Sequence, residues 1–449
     1  MTNQMKRLLV LAVALLLVVT CLSGCSGTQD DVPGSTTTTT TTTGTADADD
    51  TTTAQSGDKT SGKTSSTGKD TTTKGGKDTT TKGGKDTAKA TTTTTTSSQK
   101  STSNNKTEDT TINQTTSTTK PIVGEMRSID LNDSHIAYLG RVDPTAIIAR
   151  MEWPGTGFEI AVRGGAVKAN LSGIAQNLPM YVAVYVDGNR TQKIRLRKGA
   201  DEWHTLADNL PTDRVTTVRV VKLNEGYYGS IELQGLKVDG TLEDPTLPNR
   251  RIIWIGDSIS CGFGVLGQTA TEAFNTSTQD ITLTYGWLLS DVFNAQRHII
   301  AASFHGVATA NTGSTTDQLI PLLYSQTGFK TTTPWDHSKY QPDLVVVNLG
   351  TNDVIGGTTA ARLREGVRSF VTQLKTAHPS AKIVWVYGSM RDKFANDIKE
   401  EVEALGGHFL KAYTIADSED IGSRYHPSDD AHAKLAKNLE SQLRSIMGW

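Results

Sequence analysis

Four short stretches, "RIIWIGDS", "RHIIAAS", "PDLVVVNLG" and "AKIVWVYGS", most constrain what this chain can fold into. Each is a continuous apolar run of a few residues closed by a small or polar residue, the pattern of a strand buried on both faces. Helical patterns lie between them. Leu363, Val367, Phe370, Val371 and Leu374 fall at i, i+4, i+7, i+8 and i+11, on one face of a helix. A last helix after Pro427 carries Leu435, Leu439 and Leu443. Strand and helix alternating over residues 245–449 predict an α/β domain with an open, doubly wound parallel sheet.

A different period governs residues 122–244. "FEIAVRG" alternates Phe158, Ile160 and Val162, and "MYVAVYVDGN" sets Val182, Val184 and Val186 on one face before an Asp187-Gly188 turn. "TTVRVVKL" and "GSIELQGLKV" follow, with no long amphipathic helix among them, so this segment reads as an all-β sandwich or jelly roll. Residues 26–121 are Thr, Ser, Gly, Lys and Asp with almost no large apolar side chain. Such a tract cannot bury enough surface to offset the entropy of ordering, and is expected to be a disordered spacer spanning roughly 50–60 Å as a flexible coil. "KDTTTKGG" recurs within it at Lys69 and Lys77, a period too short and polar for a solenoid.

Residues 1–25 have the layout of a secretory signal: Lys6 and Arg7, an apolar run from Leu8 to Val19, then small residues before Cys25. "LSGC" at Leu22–Cys25 resembles the bacterial lipobox, which implies a lipid on the Cys25 thiol and a cell-surface lipoprotein held at a membrane. Cys21 would leave with the signal and Cys25 would be lipidated, so Cys261 has no disulfide partner. A formal net charge of −2 argues against a basic nucleic-acid surface.

In a doubly wound sheet, reactive groups gather at the carboxyl ends of the strands. Ser258 ends the first apolar run, Gly306 follows the second, and Asn352 and Asp353 follow the third. "SRYHPSDDAHAKLA" adds His426 in a loop and His432 within the last helix. A serine hydroxyl attacks an acyl carbon only when a base accepts its proton, and the tetrahedral oxyanion needs fixed donors. The N–H groups of Ser258 and Gly306 and the side-chain amide of Asn352 can supply three. His432, on a helix with Leu435 and Leu439, reads as a structural histidine. The two histidines lack an accompanying ligand pattern, so neither a metal nor another cofactor is expected.

The order "GDSIS", then a glycine, then "GTND", then a late histidine resembles the SGNH or GDSL-like hydrolases. From about Leu139 onward the resemblance narrows. "GRVDPT", "EWPGTGFEIAVRGGAVKA", "VYVDG", "VVKLNE", "TYGWLL", "WDHSKYQPDLVVVNLGTND" and "YHPSDDAH" are together similar to carbohydrate esterase family two. That resemblance implies a jelly roll joined to an SGNH-type three-layer domain, and removal of O-acetyl groups from plant polysaccharides. It implies Ser258 as nucleophile, His426 as base, and Gly306 with Asn352 as oxyanion donors. This chain departs from the family's "SGxG" with Ser303, Phe304, His305 and Gly306. It also has Ser423 where a typical SGNH enzyme carries Asp three residues before the histidine. Family two members work with a Ser-His dyad in which a main-chain carbonyl just before the histidine orients the ring, here assigned to Tyr425. Asp417, Glu419 and Asp420 remain substitutes. Asp257 is expected to be structural.

Three functions stay open: an esterase of acetylated xylan or mannan, a deacetylase of a bacterial envelope glycan, and a noncatalytic carbohydrate-binding lipoprotein. The chain is expected to act as a monomer on acetylated polysaccharide, with Tyr425 either offering its face to a sugar ring or packed as a core aromatic.

Overall fold

A computed structural model describes residues 124–449 apart from 143, 176, 200, 416 and 417. The expected signal at 1–25 with Cys25, the spacer at 26–121, and Asp417 lie outside the described residues.

Nine strands form the first domain: β1 (Arg127–Ile129), β2 (Ala137–Leu139), β3 (Ala149–Met151), β4 (Gly157–Ala175), β5 (Met180–Val186), β6 (Asn189–Leu196), β7 (Trp203–Leu210), β8 (Thr216–Lys222) and β9 (Gly229–Glu243). Their order is β1-β9-β4-β8-β5-β6, with β2 and β7 on β4 and β3 on β9, in antiparallel pairings. β4 is the spine. Its first part, Gly157–Val162, pairs with β8 and its later part, Gly165–Asn170, with β7, while β9 runs beside both with register shifts at Arg163/Ala166 and Asn170/Leu171. Such irregularities bend and twist a sheet, so a long strand can serve two faces of one core. The alternating residues Phe158, Ile160, Val162, Val182, Val184, Val218 and Val220 fill that core.

The second domain contains β10 (Arg250–Gly256), α1 (Ser258–Cys261), α2 (Tyr285–Val292), β11 (Ala295–Ala301), α3 (Ile320–Tyr324), β12 (Leu344–Asn348), α4 (Thr351–Ile355), α5 (Ala360–Ala377), β13 (Lys382–Tyr387), α6 (Ala395–Ala404), β14 (His408–Lys411) and α7 (Asp429–Met447). The sheet is parallel in the order β11-β10-β12-β13-β14. The four apolar runs are its first four strands; β14, "HFLK", is the fifth. Alternate residues of each strand face opposite helix layers: Ile253, Ile255, Val345 and Val347 pack with α5 and α6, and Ile252, Trp254, Leu344 and Val346 with α2 and α7. On α5, the five residues picked out by their spacing are fully buried, each contributing roughly 1.5–3 kcal/mol of transfer free energy before ordering costs.

Chain order reverses beside β10, whose neighbours are β11 and β12. In doubly wound sheets, ligands bind at such a switch point, outside the strands' carboxyl ends. The β domain also enters this core: Ala183, Val221 and Leu223 pack with Ile281, Tyr285 and Trp287.

Candidate active site

β10 ends at Gly256, and Asp257 caps the next turn by accepting the Ile259 N–H at 3.0 Å. The nucleophile candidate Ser258 therefore opens α1, nearly buried at 6% exposure. As the first residue of a helix, it has no carbonyl one turn back to bind its N–H. His426 reaches the same point from 168 residues away, with Nε2 at 2.9 Å from Ser258 Oγ.

The carbonyl behind the histidine is that of Arg424, 2.9 Å from Nδ1, and not that of Tyr425. The correction has a backbone cause. Arg424 (φ 54°) and Tyr425 (φ 60°) are both left-handed, and the His426 N–H donates to Ser423 O at 3.2 Å. In a trans peptide the carbonyl points opposite to the N–H, so the Tyr425 carbonyl is turned away while the Arg424 carbonyl swings under the ring. A carbonyl only accepts, so Nδ1 carries the proton and Nε2 is left to accept from Ser258. Burial holds the imidazole pKa down to about 4, opposed by the Arg424 bond, so the ring is neutral at pH 7.

No acidic side chain among the described residues takes the orienting place. Asp420 is buried and accepts from Lys434 Nζ at 2.6 Å and the Tyr413 hydroxyl at 2.6 Å, and Glu419 uses its main-chain oxygen to accept from Ser428. Ser423, at the position where a typical SGNH enzyme carries Asp, packs against two glycines. Its N–H donates to Gly264 O at 3.0 Å, and a Cβ on Gly264 (φ 66°) or on Gly267 would collide with Ser423. His432 lies apart in α7, its Nδ1 accepting the Tyr285 N–H at 3.3 Å.

Gly306 and Asn352 come together through Asp353. The Asp353 carboxylate accepts the N–H groups of Val307, Ala308 and Thr309 at 3.0, 2.8 and 2.8 Å, winding the turn after β11 around the start of α4. The Gly306 N–H stays outside that cradle. A side chain at Gly306 would strike Thr309 O and the Asp353 carboxylate, so only glycine fits. Asn352 Nδ2 donates to His305 O at 3.1 Å and, over a longer 3.3 Å, to Asp257 Oδ2. Burial pushes the Asp257 carboxyl up to about 7.

Two features escaped the sequence reading. Phe263 lies 4.4 Å from the His426 ring and stacks on Phe274 at 4.0 Å, and Tyr228 of the β domain stacks on Phe274 at 4.6 Å. The second is the Asp353 clamp, for which the "ND" of "GTND" was the available signal. Among the described residues no group of three or more His, Cys, Asp or Glu side chains converges as a metal site.

Residues 138–245 match the family described as carbohydrate esterase 2 N-terminal, and residues 252–439 match the GDSL-like lipase/acylhydrolases. An acetylxylan esterase / glucomannan deacetylase of Cellvibrio japonicus is 29% identical over 74% of this chain and 95% of its own length. The structure of a family two carbohydrate esterase from the same organism superposes with a TM-score of 0.65 at 27% identity, covering 72% of this chain and 99% of the other. A family 2 enzyme of Corynascus thermopiles, solved with a carbohydrate-binding domain, gives 0.61 at 29% identity over 70% of this chain and 100% of the other. Two matched domains in this order, on this site, make the chain a carbohydrate esterase of family two, a GDSL-like hydrolase carrying the family's N-terminal β domain.

Proposed function

We propose that the protein is a serine esterase that removes O-acetyl groups from plant cell-wall polysaccharide of the xylan or mannan type by a Ser-His dyad. The observation that carries the reading is the pair of 2.9 Å contacts on His426, Nδ1 to the Arg424 carbonyl and Nε2 to Ser258 Oγ. The substrate class follows the name of the Cellvibrio relative.

Ser258 Oγ attacks the acetyl carbonyl carbon as its proton passes to His426 Nε2. The tetrahedral oxyanion is met by the Ser258 and Gly306 N–H groups and Asn352 Nδ2, donors fixed before the charge develops. Collapse breaks the bond to the sugar oxygen, which takes the proton from His426, and leaves acetyl-Ser258. Water then gives a proton to Nε2 and attacks the acetyl carbon, and the proton returns to Ser258 as acetate leaves. Arg424's carbonyl keeps the ring in one tautomer and stabilises the imidazolium less than a carboxylate does.

The same proposal places the enzyme at a bacterial cell surface as a monomer, tethered by a lipid on Cys25 and held off the membrane by residues 26–121. Acetate release from acetylated xylan, acetylated glucomannan and O-acetylated peptidoglycan tests the substrate. Release from the plant polymers supports the reading, release from peptidoglycan alone points to an envelope deacetylase, and release from none to a binding protein.

A further inference from the structure

The segment after β8 leaves the β domain and carries Glu225 into the α/β domain. Its carboxylate is completely buried, a state that costs several kcal/mol unless the oxygens are well bonded. They are. Oε2 accepts the Ser303 main-chain N–H at 2.7 Å and lies 3.6 Å from Cys261 Sγ; Oε1 accepts the Ser303 hydroxyl at 2.6 Å and Gln279 Nε2 at 3.1 Å. Gln279 returns its Oε1 to the Glu225 N–H at 3.2 Å and sets its Nε2 3.4 Å from Cys261 O. Lys222, equally buried, bonds Asn224 O beside it. Burial pulls the ammonium pKa down to about 7 against the opposing pull of Glu225.

The two segments joined here are those that carry the reaction. Cys261 ends α1, which Ser258 begins. Ser303 begins the turn to Gly306: its carbonyl accepts His305 Nδ1–H at 2.5 Å, Phe304 is left-handed at φ 74°, and the His305 carbonyl holds Asn352 Nδ2 at 3.1 Å. Pure interdomain adhesion does not need a carboxylate, since a buried ionic group can often be replaced by apolar side chains without loss of stability. Fixing a main-chain N–H does need an acceptor. Oxyanion donors act only when aimed to within a fraction of an ångström.

We propose that Glu225 is a positioning residue of this esterase: the β domain extends a buried carboxylate that holds the Ser303–Gly306 turn against the Ser258–Cys261 helix, so that the Gly306 N–H is aligned before substrate arrives. This rests on the assignment of Ser258 and Gly306 under Proposed function. The test uses the full chain with 4-nitrophenyl acetate and three variants, Glu225→Gln, Ser303→Ala and the double variant, with a thermal transition measured for each. Glu225→Gln is expected to lower kcat about tenfold or more with KM changed less than about threefold. Ser303→Ala, which removes the hydroxyl bond to Oε1 and leaves the main-chain bond to Oε2, is expected to move kcat the same way by less, and the double variant to lose less than the product of the two singles, because the singles share the Oε1 contact. A lowered Tm with wild-type kcat for the folded enzyme, or losses that multiply in the double variant, would overturn the inference. If Glu225→Gln does not fold, Glu225→Asp, which keeps the charge and draws the carboxylate back from the Ser303 N–H, takes its place with the same expected loss of kcat. A Ser258→Ala control separates the two claims. Retained turnover in that control sinks the site assignment; an inactive control beside wild-type kcat in Glu225→Gln and Ser303→Ala sinks only the role of Glu225.

Discussion

The carbonyl of Arg424 accepts the Nδ1–H of His426, two residues along the chain, at 2.9 Å. The bond exists because Arg424 and Tyr425 adopt left-handed backbone that non-glycine residues seldom hold, at about 1–2 kcal/mol each. What orients the His426 ring is therefore a conformation, and the side chain at 424 matters through the conformations it allows. Asn tolerates the left-handed region and Ile does not. Arg424→Ile is expected to lower kcat about tenfold or more relative to Arg424→Asn. Steady-state turnover of 4-nitrophenyl acetate compares them, and equal rates would mean the carbonyl does not orient the base.

The acidic residues near the base should separate by role. Glu419→Ala is expected to keep kcat within about twofold. Asp420→Asn should lower Tm, because it weakens buried bonds to Lys434 and Tyr413. A loss of about a thousandfold in kcat from Asp417→Ala, Glu419→Ala or Asp420→Asn would replace the dyad with a triad.

To act as the proposed base His426 must be neutral, and burial lowers its pKa to about 4. The acid limb of kcat/KM should therefore lie near pH 4, with a plateau through neutrality. An acid limb at the ordinary histidine value of 6.5 would show that Nε2 is better solvated than this geometry implies.

Buried histidines also couple stability to pH over this range. His378, His426 and His432 have folded pKa values lowered by burial to about 4, about 4 and about 3. In the unfolded chain they take up protons as pH drops through about 6.5, and in the folded protein only near 4 or below. The contribution of each is fully present above the unfolded value and lost as pH falls through the folded one. Asp257, Glu225 and Asp353, raised by burial, titrate in the opposite sense, so the measurement is a difference: the Tm gap between wild type and His378→Gln is expected to narrow as pH falls from 6.5 to 4, and a gap that stays constant would contradict the burial of that ring.

Gly306→Ala puts a methyl group against Thr309 O and the Asp353 carboxylate, and Asn352→Ala removes the amide proposed as an oxyanion donor. Each is expected to cost about a hundredfold in kcat with a smaller change in KM. A change confined to KM would assign these residues to ground-state binding.

Much of this was legible in the sequence because burial writes strong patterns. β10, β11, β12 and β13 are covered on both faces and read as unbroken apolar runs, and the buried face of α5 repeats at helical spacing. β14 has only Leu410 buried in four residues, which leaves little periodicity to see. Ser258, Gly306 and Asn352 stood out because strand ends in a doubly wound sheet converge, and His426 as the histidine of the loop before the last helix. The Arg424 carbonyl was one residue off, since the sequence carries no sign of two successive left-handed residues. Nothing in "VVKLNE" marked Glu225, whose partners Ser303, Cys261 and Gln279 lie 36 to 78 residues away, so that only the fold brings them together.

The most direct test of the central claim is the covalent intermediate. Acid-quenched enzyme taken during turnover of an acetyl ester, digested and mapped by mass spectrometry, is expected to carry an acetyl group on the peptide holding Ser258. Ser258→Ala should lack both that adduct and acetate release. An adduct on another residue, or acetate release by Ser258→Ala at the wild-type rate, would contradict the account.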